Sequence, residues 1–471
     1  MTPQITRRSV ARCFLLATAL AFVGNAELQA STRAATTEES TGAPIALFNG
    51  HDLSGWVNVN CADSTWSAKV GDDGVPYIAC TGQPTGVLRT ERMYENFVLD
   101  FDWLHEEEPG NAGIFIWSDG IPAKGLPFTR SIEVQVMLTP DAHDKEGRLL
   151  YTGQGDIFAI HGATMKPDRP HPAGWVRCLP SSRETKGKGE WNHYRITANQ
   201  GRLTLAVNGV EVSGGSEINP RKGYICLESE GTPIRFRNLL LTPLPDATPP
   251  LTPEQCATDA TGWIDLLHGT LDAWNSGEGV DGHWVLSGTS LKYDGKGGDL
   301  WSKGSFGDID LIVDWRWAAP ATTKMMRPVL ARDGSTELDA SGKPIEREIE
   351  EYDSGIFLRG NTKSQVNMWN WPIGSGEVYG YRIDPAATPE LRRGCTPQVT
   401  ADAPIGQWNR FEISMVGSRL AVRLNGQPVL PGVDLPGVPA SGQIGLQHHG
   451  SPLEVTNVFL RPVAVRTAQS P

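Results

Sequence analysis

A chain of 471 residues with a formal net charge of −12 lacks the basic surface that a phosphate backbone demands, which excludes nucleic acid as a partner. An acidic surface is compatible with a neutral ligand such as a sugar. With 52 glycines, 34 prolines and 15 tryptophans, the composition suits a turn-rich, all-β protein, and the length suits two domains of about 200 residues each.

The N-terminus reads as an export signal. Arg7, Arg8 and Arg12 precede an apolar run, Cys13 to Val23, and Gly24-Asn25-Ala26 is a small-residue cleavage site. Residues 1–26 are therefore expected to be a signal peptide, directing the chain to the periplasm or beyond the cell. The run is too short to span a bilayer and no other candidate follows, so no integral membrane span is expected in the mature chain. Residues 27–42, rich in Thr, Ala and Glu, read as a disordered leader.

Beyond the leader the chain repeats itself. Trp191-Asn192, Gly201-Arg202-Leu203 and Val207-Asn208-Gly209 match Trp408-Asn409, Ser418-Arg419-Leu420 and Leu424-Asn425-Gly426 at one constant offset. Trp56 and Trp66 match Trp274 and Trp284; Asp102-Trp103 matches Asp314-Trp315; Gly113-Ile114-Phe115 matches Gly355-Ile356-Phe357. A repeat this long is a duplicated domain rather than a solenoid unit. The first copy spans 43–245 and the second 262–465. Between them, 246–261 continues a proline-rich stretch that reads as a stiff, extended linker.

Within each copy the apolar period is two. Phe97 to Trp103, Ile132 to Val136, Leu203 to Val207, Ile309 to Trp315, Gln365 to Met368 and Leu420 to Leu424 read as strands. Asn208-Gly209 and Asn425-Gly426 are tight hairpin turns. No amphipathic helix of three turns stands out, so each copy is expected to be an antiparallel β-sandwich. Arg316 to Glu350, charged and without period, reads as an inserted loop, disordered or acting as a lid. Six cysteines follow the signal: Cys61, Cys80, Cys178, Cys226, Cys256 and Cys395. Cys61 with Cys80 and Cys178 with Cys226 are the pairs to test as disulfides, against buried free thiols. No CxxC spacing or other metal motif is present, so no metal is expected.

On a strand, residues two apart share a face, so Glu133 and Gln135 project together, away from Ile132, Val134 and Val136. Gln365 and Asn367 fall at the corresponding positions. Trp369, Trp371, Tyr379 and Tyr381 crowd a Gly-Ser-Gly-Glu segment ending at Arg382; flat rings can stack on the C–H face of a pyranose while amides, carboxylates and Arg take its hydroxyls. Tyr151, Trp117, Asp156, Phe158 and His161 answer in the first copy. Gln447-His448-His449 stands where the first copy has Glu228-Ser229-Glu230, and only one of the two histidines can face a site.

The order of Leu47-Phe48-Asn49-Gly50, Leu53-Ser54-Gly55-Trp56, Gly113-Ile114-Phe115, Glu133-Val134-Gln135, Glu190-Trp191-Asn192 and Val207-Asn208-Gly209 resembles the 3-keto-disaccharide hydrolase domain family. The second copy resembles it through Asp353 to Arg359, Gly406-Gln407-Trp408-Asn409 and Gly442 to Gln447. The resemblance implies two tandem concanavalin-like jelly-rolls that cleave glycosides oxidised to a ketone at C3. Such a ketone acidifies the C2 proton; a base removes it, the C1 substituent leaves, and water adds back. Facing and chemistry then select Glu133 as base in the first copy, with Gln135 and His161 as polar partners. In the second copy they select Glu377 as base and His448 as acid, with Arg359, Gln365, Asn367, Trp369, Tyr379 and Arg382 binding substrate. No cofactor is specified. The rival readings are a tandem carbohydrate-binding protein without turnover, or one catalytic and one binding domain.

Overall fold

Alternation decides where each strand sends its side chains, and the six expected strands all form: Phe97–His105, Ser131–Gln135, Arg202–Val207, Ile309–Trp317, Asn361–Trp369 and Arg419–Leu424. The computed structural model describes residues 42–463; the expected signal peptide, and the expected leader up to residue 41, lie outside them. Every ladder between named strands is antiparallel, and the strands build two sandwiches.

In the first sandwich, a back sheet centred on Phe97–His105, Asn192–Asn199 and Ile234–Pro243 covers a front sheet. The front sheet runs in the order Arg177–Cys178, Ile157–Ile160, Ser131–Gln135, Gly113–Ser118, Tyr224–Ser229, Gly86–Thr90 and Trp56–Val59. Ile114, Ile116, Ile132, Val134, Ile157 and Leu227 point between the sheets into the core. The second sandwich repeats this with a smaller front sheet: Leu300–Trp301, Gly445–Leu446, Asp353–Leu358 and Asn361–Trp369. Two such layered sheets are a jelly-roll architecture.

The motifs that reveal the repeat are structural. The indole N–H groups of Trp56 and Trp274 donate to the carbonyls of Leu47 and Leu266, each at 2.7 Å. Asn208 and Asn425 open their turns at φ +47° and +51°, followed by Gly209 and Gly426 at positive φ, as a tight hairpin of this hand requires. Each turn asparagine also donates to the one preceding its strand, Asn192 at 3.0 Å and Asn409 at 2.8 Å.

Two expectations change, and the choice left open for the cysteines is decided. The segment read as a stiff spacer is laced to the first sandwich: Gly120 N–H donates to Thr258, Arg221 N–H to Gln255 and Ala257 N–H to Lys222. The inserted loop is ordered as a hairpin, Lys324–Pro328 against Glu346–Glu350, because Arg327 both pairs with Glu351 and lies 4.2 Å from the centroid of Trp371. All six described cysteines are free thiols, so neither tested disulfide forms; burial pushes Cys80 up to about 11 and Cys226 up to about 12. No helix among the described residues is long and apolar enough to cross a membrane.

The two sandwiches meet across a seam. Residues 119–129, which join two front-sheet strands of the first sandwich, reach onto the back sheet of the second. Asn457 donates to the carbonyls of Ala123 and Leu126, Arg410 to that of Pro122, and the Gly125 N–H to Asp314. Gly125 sits at φ +71°, and a Cβ there would stand 2.2 Å from the Trp408 ring. In the second sandwich the same connection is a two-residue turn, Arg359-Gly360.

Candidate functional site

The outer face of each front sheet can be read as rows of side chains running across the strands. In the first sandwich Phe115 pairs with Glu133, which pairs with Phe158. In the next row Val87, Glu228, Gly113 and Gln135 stand side by side, and Gln135 exchanges backbone hydrogen bonds with Gly155 and Asp156. The second sandwich gives Phe357 with Gln365, then Gln447, Gly355 and Asn367, with Asn367 bonded to Gly376 and Glu377. Gln365 therefore replaces Glu133, Asn367 replaces Gln135, Gln447 replaces Glu228 and Glu377 replaces Asp156.

Glycine makes each row possible. A Cβ at Gly113 would stand 2.7 Å from Glu228 Oε2 and 3.1 Å from Glu133 Oε1, so both carboxylates lean over the bare backbone into one small volume. Glu133 is 6% and Glu228 1% exposed. Burial, then the charge of Glu230, pushes Glu133 up to about 8, against the pull of Arg177. Burial and the neighbouring Glu133 hold Glu228 well above the ordinary carboxylate range, and its Oε2 has no partner. Two carboxylates this close cannot both ionise cheaply. Glu230, at the rim, accepts from Asn111 at 2.5 Å.

Beside this pair runs a guanidinium. Arg177 donates to Asp156 at 2.6 Å and to the side-chain Oε1 of Gln135, and lies 3.8 Å from the centroid of Phe158. The second sandwich rebuilds the same unit: Arg382 pairs with Glu377 and lies 5.4 Å from the Tyr379 centroid. Yet Arg177 comes from a strand and Arg382 from a short helix, Tyr379–Arg382. The parallel Gly155-Asp156-Ile157-Phe158 and Gly376-Glu377-Val378-Tyr379 carries this unit, with a positive-φ glycine opening each.

Other candidates fall as follows. His161 leaves its strand at φ +52° and stacks on Phe128, whose ring stands edge-on to Phe115, so two rings separate it from Glu133. Arg359 occupies the turn opposite the seam loop, where it donates to the carbonyls of Gly307, Gly417 and Pro439 and pairs with Asp308. That makes it a clamp within the fold, away from Asn367. His448 turns edge-on to Tyr293, whereas His449 approaches Asp353 at 3.6 Å, in the place of the Glu230–Asn111 pair. Burial raises Asp353 to about 6. Gln365 donates to Gln447, while the Asn367 Oδ1 and Glu377 Oε2 atoms are buried without partners. Trp369 donates its N–H to Gly374 at 2.7 Å and stacks on Trp371 at 4.0 Å. Tyr379 stands edge-on to both.

Sequence reasoning set Glu228 against Gln447 as groove positions but gave Glu228 no role, and it passed over Glu230, Arg177, Asp353 and His449. Glu228 and Glu230 could have been found by asking what faces Gly113 across the next strand; Arg177 lies in a segment without period and offered no signal. Among the described residues no group of three or more His, Cys, Asp or Glu is arranged to hold a metal ion.

The paired jelly-roll thus carries on each of its two front sheets a polar, partly aromatic floor. The chain belongs to the 3-keto-alpha-glucoside-1,2-lyase-like domain family, which matches residues 43–242 and again 262–461. No curated protein matches it. Among solved structures, a candidate glycosyl hydrolase from Parabacteroides distasonis is 20% identical over 43% of this chain and 94% of its own, with a TM-score of 0.32. The carbohydrate binding module CBM66 from Bacillus subtilis is 12% identical over 39% of this chain and 93% of its own, at 0.26. The Bacillus licheniformis beta-glucanase is 12% identical over 44% of this chain and 100% of its own, at 0.25.

Proposed function

We propose that the chain is an exported enzyme whose first sandwich cleaves 3-keto-glycosides by elimination, and whose second sandwich binds saccharide without turnover. The observation that carries this reading is the buried Glu133–Glu228 pair leaning over Gly113, with burial pushing Glu133 up to about 8 and Glu228 well above the ordinary carboxylate range. Glu133, closer to the cation, ionises first and takes the C2 proton of the sugar. Electrons move into the C2–C3 enolate, whose charge Arg177 and the Gln135 amide stabilise. The C1–O bond then breaks as Glu228 delivers its proton to the leaving oxygen, giving an unsaturated ketone and the free aglycone. Water adding across C1 and C2 completes net hydrolysis. A ketone-assisted route does not need the opposed carboxylates of ordinary glycosidases.

The second groove holds amides, Gln365 and Gln447, where the first holds that carboxyl pair, and amides transfer no proton. Incubating the full chain with a 3-keto-disaccharide and with its unoxidised parent tests the reading. Cleavage of the oxidised sugar alone, abolished by Glu133→Gln and by Glu228→Gln, is the expected result. Saturable binding without product, or equal cleavage of both sugars, would overturn it.

A further inference from the structure

We infer that the second groove is an open platform for a saccharide chain of several units, with Trp301 as its outer anchor; the inference rests on the reading of these grooves as sugar sites. Trp301 sits on the edge strand Leu300–Trp301, with Gly445 beside it on the next strand. A Cβ at Gly445 would stand 2.8 Å from two indole carbons, so only glycine lets the ring lie flat across the sheet. It lies parallel to Phe357, 12° between planes and 5.2 Å between centroids, and stays half-buried, which leaves surface open to a ligand.

The matching row of the first groove is closed. Phe115 and Cys226 are fully buried there, in one apolar cluster with Tyr224, Ala260 and Phe459 of the second sandwich. The first groove therefore stops at Glu133, while the second continues to the sheet edge. At its other end the ring left open is Tyr379, 37% exposed, standing edge-on to Trp369 and Trp371, which lie parallel with Arg327 over the outer face of Trp371. Between the aromatic ends lie the unpartnered acceptors Asn367 Oδ1 and Glu377 Oε2, on side chains 3% and 0% exposed.

Rings at both ends with buried acceptors between them suit a chain of pyranoses. Terminal sugars stack their C–H faces, and central hydroxyls donate inward. Four strands span about 14 Å at the usual inter-strand spacing, more than a single sugar ring covers.

Calorimetric titration of the full chain with two series, maltose to maltohexaose and cellobiose to cellohexaose, tests this. Affinity should rise roughly tenfold from disaccharide to pentasaccharide in one series, about the worth of an added stacked ring. Trp301→Ala should remove that gain and leave the disaccharide within about twofold, and Trp301→Phe should keep part of it. Length-independent affinity, no binding in either series, or equal weakening at every length in Trp301→Ala would overturn the proposal. Cleavage of a 3-keto-disaccharide, which reads the first groove, is measured on the same preparations, so failure of the enzymatic reading is seen separately.

Discussion

The two grooves share a floor plan and differ in what can ionise. Position by position, Glu133 faces Gln365, Glu228 faces Gln447, and the Asn111–Glu230 pair faces Asp353–His449. The unit that persists is a buried carboxylate beside an arginine that lies over an aromatic ring, and its arginine arrives from a strand in one half and a helix in the other. The difference teaches that backbone register carries the groove while side-chain ionisation carries the chemistry, and that the two vary independently.

The sharpest way to break the comparison is to exchange the ionising residues. Glu133→Gln should lower kcat/KM on a 3-keto-disaccharide by roughly 10²–10⁴, the ordinary worth of general acid–base catalysis, while Gln365→Ala should leave it within about twofold. Equal losses in the two steady-state assays would mean that both halves turn over substrate.

Next in size is the retained carboxylate–arginine unit. Arg382→Met strands Glu377, which is fully buried, and should cost about 3–5 kcal/mol, or roughly 10 °C in Tm by calorimetry. Arg177→Met should cost less, because Thr152 still donates to Asp156 from its hydroxyl and its backbone.

The pH profile sharpens the contrast further. On the proposed route Glu133 acts as a base only once it has lost its proton, so kcat/KM should rise as pH approaches about 8, then fall as Glu228 ionises above it. Glu230→Gln removes a charge that holds Glu133 up and should move the rising limb to lower pH; substitutions at Gln365 or Gln447 should not move it.

The smallest effect is on stability. Asp353 has a folded pKa of about 6, above its ordinary 3.8, so the folded state holds this proton more tightly than the unfolded one. That contribution is complete below about 3.8 and is lost as pH rises through 6. Asp353→Asn should therefore raise Tm by a few degrees at pH 7 and leave it unchanged near pH 3.5, as pH-resolved thermal melts would record.

Much of the scaffold was legible because it is local. Strand alternation and Asn-Gly turns each depend on a few neighbouring residues, so Ser131–Gln135 and Asn208-Gly209 could be placed from sequence alone. The site was legible only along a strand. Facing selected Glu133, Gln135, Gln365 and Asn367 together, but Glu228 reaches Glu133 across an intervening strand, and no periodicity records that neighbour. Arg359 and His161 misled for the same reason: their chemistry suited a sugar, but their positive-φ positions end strands and turn them from the floor.

The seam around Gly125 has a consequence for the halves as objects in their own right. Cut at the linker, the first sandwich would bare Phe115 and Cys226, and the second would bare Phe459 and the charged nest of Asp314, Arg410 and Asn457. Each half would then carry a sticky scar. A truncation that leaves one groove intact is therefore expected to lose solubility, as the soluble yield of residues 43–245 expressed alone would show.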